Sequence, residues 1–139
     1  MAQELDIVIR SKRVQWGGAS GEADIVWLRQ DLSGATWKME IRALPGDTGT
    51  ALATLNSAVV GSEGISATWD AGYVHPETGA VVGATTIRPQ INLATMQALA
   101  TSTPRDDPVE AHYDIHMTLS GVKRLFAFGA FTYYPGVTQ

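Results

Sequence analysis

The segment Ala35-Thr36-Trp37-Lys38-Met39-Glu40-Ile41-Arg42 alternates apolar and polar residues from end to end. Successive side chains of an extended chain point to opposite faces, so Ala35, Trp37, Met39 and Ile41 share one side and Thr36, Lys38, Glu40 and Arg42 the other. Such a strand has one buried face and one wet face. The same period of two returns in Glu110 to Leu119, where Ala111, Tyr113, Ile115, Met117 and Leu119 oppose Glu110, His112, Asp114, His116 and Thr118. Two half-buried strands far apart in the chain require sheets packed about a shared core, with Trp37 and Tyr113 inside it.

Working outward from these two segments, further strands are expected at Leu5 to Arg10, Ala23 to Leu28, Ala51 to Leu55, Ile65 to Trp69, Val81 to Ile87 and Val122 to Tyr133. Fourteen Gly and six Pro, dispersed along the chain, punctuate it at the spacing of an all-β fold. Turns are expected at Asp31-Leu32-Ser33-Gly34, at Pro45 to Gly49, at His75-Pro76-Glu77-Thr78-Gly79 and at Ser120-Gly121. The last of these sits between two strong strands and should close a tight hairpin. One segment departs from the pattern: Leu93, Met96, Leu99 and Ala100 fall at helical spacing behind Asn92, a residue suited to cap a first turn. A helix of two or three turns is expected there, followed by an exposed connector from Thr101 to Pro108.

At 139 residues the chain is long enough for one core, and two halves near 70 residues would each lack a disulfide or metal to staple them, so one domain over residues 1–139 is expected. The composition, 45% apolar and 17% charged, is that of a globular chain, and no apolar run approaches the length of a membrane span. Ten basic against fourteen acidic residues leave a net charge of -4 with no basic cluster, which argues against nucleic acid as a partner. Cys is absent, removing disulfides, thiolate nucleophiles and Cys-ligated zinc. The start, Met1-Ala2-Gln3-Glu4-Leu5-Asp6, has neither a basic nor an apolar leader region, so synthesis and assembly in a cytoplasm are expected.

His112, Asp114 and His116 share one face of a strand and are the residue types of a metal set. Neighbours on one strand face stand about 7 Å apart, too far for three of them to close readily on one ion, so an ordinary solvated face is the preferred reading and no metal is expected. His75, beside Pro76, is expected to shape its turn. Gly18-Ala19-Ser20-Gly21 is not a nucleophile elbow, Asp106-Asp107 lacks the apolar surroundings that separate carboxylate pKa values, and the glycines at 17, 18 and 21 fit no phosphate-binding spacing. No catalytic residue and no cofactor are expected.

Aromatic residues are the remaining signal. Trp37 and Trp27 have places on core faces, while Trp16, Trp69 and Tyr73 lie near turns, where they either close the core or stack on a sugar ring. In the last strand Leu125, Ala127, Gly129, Phe131 and Tyr133 make one face and Phe126, Phe128 and Ala130 the other. Both faces are apolar, so either the helix at Leu93 to Ala100 covers Phe126 and Phe128 or a partner does. The tail beyond, Pro135-Gly136-Val137-Thr138-Gln139, is short and polar enough to lie extended against a neighbour. A partner interface is expected at Phe126, Phe128, Tyr134, Pro135 and Val137.

Two segments carry a resemblance. Asp31-Leu32-Ser33-Gly34 leading into Ala35 to Arg42 is similar to the Asp-Leu-Thr-Gly turn and Ile-Arg-ending strand of small β-sandwich tail, baseplate and tail-fibre adaptor proteins of tailed bacteriophages. Tyr113-Asp114-Ile115, followed by Gly121-Val122, Arg124-Leu125, Gly129 and Pro135-Gly136-Val137-Thr138, resembles the same family's Tyr-Asp-Leu strand, Gly hairpin and closing strand. The short helix also sits where that family places one. The chain departs from it at Trp16-Gly17-Gly18-Ala19-Ser20-Gly21, where the family often has Gly-Asp-Thr, and in a longer Val74-to-Arg88 hairpin. The resemblance implies a virion structural protein that binds other tail or baseplate proteins and itself, and transfers no catalytic residue. Two rivals stand beside it: a carbohydrate-binding module using Trp16, Trp69 and Tyr73, and a capsid decoration protein. The fold expected throughout is an all-β, immunoglobulin-like sandwich with one short helix.

Overall fold

A computed structural model of the chain describes residues 3–12, 14–43, 51–99 and 108–134. The turn expected at Pro45 to Gly49, the connector from Thr101 to Asp107, and Ala100, Pro135 and Val137 lie outside the described residues. The strands are β1 (Gln3–Glu4), β2 (Ile7–Ile9), β3 (Trp16–Gly17), β4 (Ile25–Leu28), β5 (Thr36–Arg42), β6 (Ala53–Asn56), β7 (Gly64–Asp70), β8 (Ala84–Ile91), β9 (Val109–Leu119) and β10 (Val122–Tyr133), with one helix, α1 (Leu93–Ala98), between β8 and β9.

They form two packed sheets. The larger has the order β1-β10-β9-β5-β6 with β2 also beside β10, and the smaller places β3 and β4 on one side of β8 and β7 on the other. In the immunoglobulin plan, β5, β6, β9 and β10 occupy the C, C′, F and G positions and β4, β7 and β8 the B, D and E positions. The first strands cross to pair parallel with the last, Gln3 opposite Ala127 and Ile7 opposite Phe131. The protein is an immunoglobulin-like β-sandwich.

The alternation that marked β5 and β9 holds in space. Trp37, Met39, Ile41, Ala111, Tyr113, Ile115 and Met117 are all buried in the core. No Cys bridges the two sheets, and rings packed edge-on or tilted fill the space between them: Phe126 meets Trp37 edge-on at 5.1 Å and Trp27 at a tilt at 5.3 Å, while Phe131 meets Trp16, Tyr113 and Tyr133 edge-on. The β9–β10 hairpin closes through Ser120 and Gly121, with φ of 54° and 79°, between the paired residues Leu119 and Val122. Two central residues at positive φ make the turn whose twist matches that of antiparallel strands, and Gly121 holds that conformation without strain.

One expectation is corrected. The helix spans Leu93 to Ala98, less than two turns, and Asn92 makes no side-chain cap bond. The Asn92 side chain instead accepts from Gln90 Nε2 at 2.7 Å, while its backbone N–H donates to Glu63 at 2.8 Å, so the helix start is tied to the β6–β7 connection. Its far end is held by the buried Lys12, whose ammonium donates to the carbonyls of Gln97 and Leu99, groups that have no partner within the helix. The expected strand from Ala23 to Leu28 is present as β4, two residues shorter at its start, and the ladder on this side of β8 is broken between β3 and β4. Gly17 pairs with Gln90 and Ile25 with Ile87, so eight steps of chain on one side span three on β8. Pro89 lies at the break and has no N–H to offer the ladder there.

Candidate interaction surface

The outer face of the larger sheet is set by the polar halves of the alternating strands. β5 contributes Lys38, Glu40 and Arg42, and β9 contributes His112, Asp114 and His116, in register so that Arg42 stands opposite His112, Glu40 opposite Asp114 and Lys38 opposite His116. Arg42 and Glu40 form an ion pair at 2.9 Å. His116 Nδ1 lies 3.6 Å from Asp114 Oδ1, an oxygen that is closed to solvent and receives no hydrogen bond. The three residues stay side by side along one strand, and among the described residues no three His, Cys, Asp or Glu side chains gather as a metal site would need.

β10 crosses this face and supplies its apolar part. Between Leu125, opposite His116, and Ala127, opposite Ile115, the register shifts by one residue at a β-bulge. The extra residue inverts the alternation. Phe126 therefore turns inward and is 4% exposed, a correction to its place in the expected interface, and the cover it needs comes from Trp27 and Trp37 rather than from α1 or a partner. Leu125, expected on the core face, is carried to the outer face at 41% exposure, where it joins Phe128 at 36%.

Leu125, Phe128 and Ala130 border an open groove of about 560 Å³ whose remaining walls include Glu4, Asp6, Glu40, Arg42, His112 and Asp114. Asp6 accepts from the Ala130 N–H at 3.1 Å, filling the gap between β1 and β2 where backbone pairing lapses. Beneath it the Tyr113 hydroxyl donates to the Leu5 carbonyl. Burial first, and then the negative charge of Asp6, push the Tyr113 phenol up to about 12, so it remains a donor through neutral pH. Gly129 completes the arrangement, because a side chain there would strike the Leu5 carbonyl.

The other expected site residues do not converge. Tyr134 is half-buried and is held by its own chain: its N–H donates to Ile9 and its carbonyl accepts from Lys12, both at 2.9 Å. Trp16, expected to be able to face a sugar, is 8% exposed and packs edge-on against Phe131 at 5.9 Å, so it closes the core. Trp69 lies half-buried against Gly83, and Trp16 and Trp69 stand on opposite sides of β8, paired with Ile91 and Thr85. Tyr73 is half-buried, its carbonyl bonded to the Val82 N–H at 2.9 Å. His75 does shape its turn, with Nδ1 accepting from the N–H groups of Glu77 and Thr78 at 3.1 and 3.4 Å.

Leu125 is the surface residue that sequence reasoning misplaced. Its signal was the unbroken apolar run Leu125-Phe126-Ala127-Phe128, too long for a period of two with one wet face and a mark of a bulge. Fold and surface together define an immunoglobulin-like sandwich with an apolar, charge-rimmed groove on its larger sheet. The chain matches no family model, no curated protein and no solved structure.

Proposed function

We propose that this protein is a non-enzymatic structural or adaptor module that works by binding another protein across the outer face of its larger sheet. The observation that carries the reading is the pairing of Leu125 and Phe128, two large apolar side chains exposed beside a groove on a face otherwise made of charged and polar groups. Apolar area ringed by polar groups favours a protein partner, because its burial supplies affinity while the charged rim sets orientation. The particular setting we propose is a bacteriophage tail, baseplate or tail fibre, where the chain would be made in the host cytoplasm and built into the virion with other tail proteins. That part rests only on the resemblance carried by Asp31 to Arg42, by Tyr113-Asp114-Ile115 with Gly121-Val122, Arg124-Leu125, Gly129 and Pro135 to Thr138, and by the position of the short helix. A capsid decoration protein would use the same surface. The glycan-binding rival draws little support, since Trp16 is in the core and Trp69 lies across β8 from it.

The test replaces Leu125 and Phe128 together by Ser and follows folding and incorporation into particles side by side. Loss of incorporation with the melting temperature unchanged supports the reading. Particles that take up the double variant as well as the unaltered protein overturn it.

A further inference from the structure

The two sides of the sandwich differ. On one, β6 runs into β7 through the parallel bridge of Ser57 with Ile65 and the Ala58 N–H bonded to the Ile65 carbonyl at 2.9 Å, so the sheets are joined. On the other, a crevice of about 300 Å³ opens between Leu5 to Val8 and Ala23 to Ile25, and among the described residues no strand pairs with the edge of β4 that faces away from β8.

The hydrogen-bond phase of β4 follows from its last bond. The Arg29 N–H donates to the Gly83 carbonyl at 2.9 Å, in the same register that pairs Trp27 with Thr85 and Ile25 with Ile87. Alternate residues of an antiparallel ladder bond inward, so Ile25 and Trp27 spend their backbone groups on β8 while Val26 and Leu28 turn theirs outward. Among the described residues nothing bonds those outward groups. The side chains sort by the same alternation. Trp27 packs inward on Phe126, whereas Val26 is 42% exposed on the outer face of the smaller sheet, with no charged residue from Ile25 to Leu28 to blunt the edge.

We infer that β4 pairs antiparallel with β4 of a second copy of this chain, about a two-fold axis at Trp27. The occupant is argued from self-complementarity. A two-fold there sets Val26 opposite Leu28 of the other copy, and Leu28 opposite its Val26. The two residues on each chain with free backbone groups therefore meet each other, and all four N–H and four C=O groups are used. On the outer face the same pairing lays Val26 against the second copy's Leu28, two apolar side chains at cross-strand distance. The two smaller sheets then run on as one continuous sheet. The contact is short, because Arg29, at φ of 68°, turns the chain away directly after Leu28. A short contact makes the dimer concentration-dependent. It leaves the groove on the larger sheet free, and it does not rest on the function proposed for that groove.

Val26→Pro tests the inference, since it removes an outward N–H while leaving every bond between β4 and β8 in place. In sedimentation equilibrium the unaltered protein should move from the monomer mass of 14.9 kDa toward twice that value as concentration rises, and Val26→Pro should stay at the monomer mass. Ala67→Pro, which removes an outward N–H from β7 beyond its bridge to β6, should dimerise as the unaltered protein does. Hydrogen exchange on the unaltered protein supplies a second reading that needs no variant. The amides of Val26 and Leu28 should gain protection with concentration, while those of Ile25 and Trp27 are protected throughout. A monomer at every concentration, a dimer lost in Ala67→Pro but kept in Val26→Pro, or exchange at Val26 and Leu28 that ignores concentration would each overturn the inference.

Discussion

Phe126 and Phe128 stand two residues apart on one strand, yet their energetic roles differ because one bulge separates their environments. Phe126 fills the space between Trp27 and Trp37, so Phe126→Ala should cost about 3–5 kcal/mol through lost burial and the cavity left behind. Phe128→Ser, at a surface position, should change stability by about 0.5 kcal/mol or less. Denaturant titration of the two variants checks both values, and equal losses would show that both rings belong to the core. Tyr113 gives a prediction in pH. Its phenol is raised to about 12 in the folded chain by burial and then by Asp6, and burial raises Tyr133 in the same direction. Tyrosines in the unfolded chain ionise near about 10. Stability is therefore fully present below about pH 10 and is lost as pH climbs toward 12, because the unfolded state releases its protons first. The denaturant midpoint should fall across that interval. Tyr113→Phe should flatten the fall, and it should also lower stability at neutral pH by about 1 kcal/mol, since the Leu5 carbonyl loses its donor.

At the scale of elements, three local features set how the strands meet. The β10 bulge decides which apolar residues face solvent, Pro89 decides where the partner of β8 must break, and Gly129 lets β1 and β2 approach β10. The last is open to test. Gly129→Val puts a branched side chain where the Leu5 carbonyl now sits, so the N-terminal strands should peel from β10 while the rest of the sandwich stays folded. Hydrogen exchange at Leu5, whose N–H donates to Phe128 at 2.8 Å, reports this directly, and retained protection in the variant would mean that the backbone gives way at no cost. Helix α1 belongs at this scale too. Six residues hold little helical stability alone, and here Met96 in the core and Lys12 at the C-terminal carbonyls supply it. Lys12→Met should lower stability by about 1–3 kcal/mol by leaving those carbonyls without a donor, a loss that a thermal melt would register.

For the whole molecule, the two sheets present different surfaces. The larger carries a groove with an apolar side and a charged rim, and the smaller carries an edge of apolar strand that no other strand among the described residues pairs with. A module that binds a partner with one sheet and its own copy with the other could link units of an assembly, the arrangement an adaptor requires. The two surfaces should behave independently: the Leu125 and Phe128 to Ser pair should lose partner binding and keep the concentration-dependent mass, and Val26→Pro should do the reverse. Cross-talk between the two variants, measured by sedimentation and by particle incorporation, would show that one surface depends on the other.

Alternation in Ala35 to Arg42 and Glu110 to Leu119 was enough to establish two sheets about a shared core with Trp37 and Tyr113 inside, because a strand with one wet face must bury the other. The Ser120-Gly121 hairpin was legible for a similar local reason, since only a few residues tolerate positive φ. The sequence also marked β10 as apolar on both faces. Which of its rings lay inside was a tertiary matter: the bulge is set by the pairing with β9 and by the space between Trp27 and Trp37, which only the assembled sheets create. The same holds for the open edge of β4 and the groove beside Phe128, both products of strand order, which joins residues more than a hundred positions apart and leaves no periodic trace in the chain.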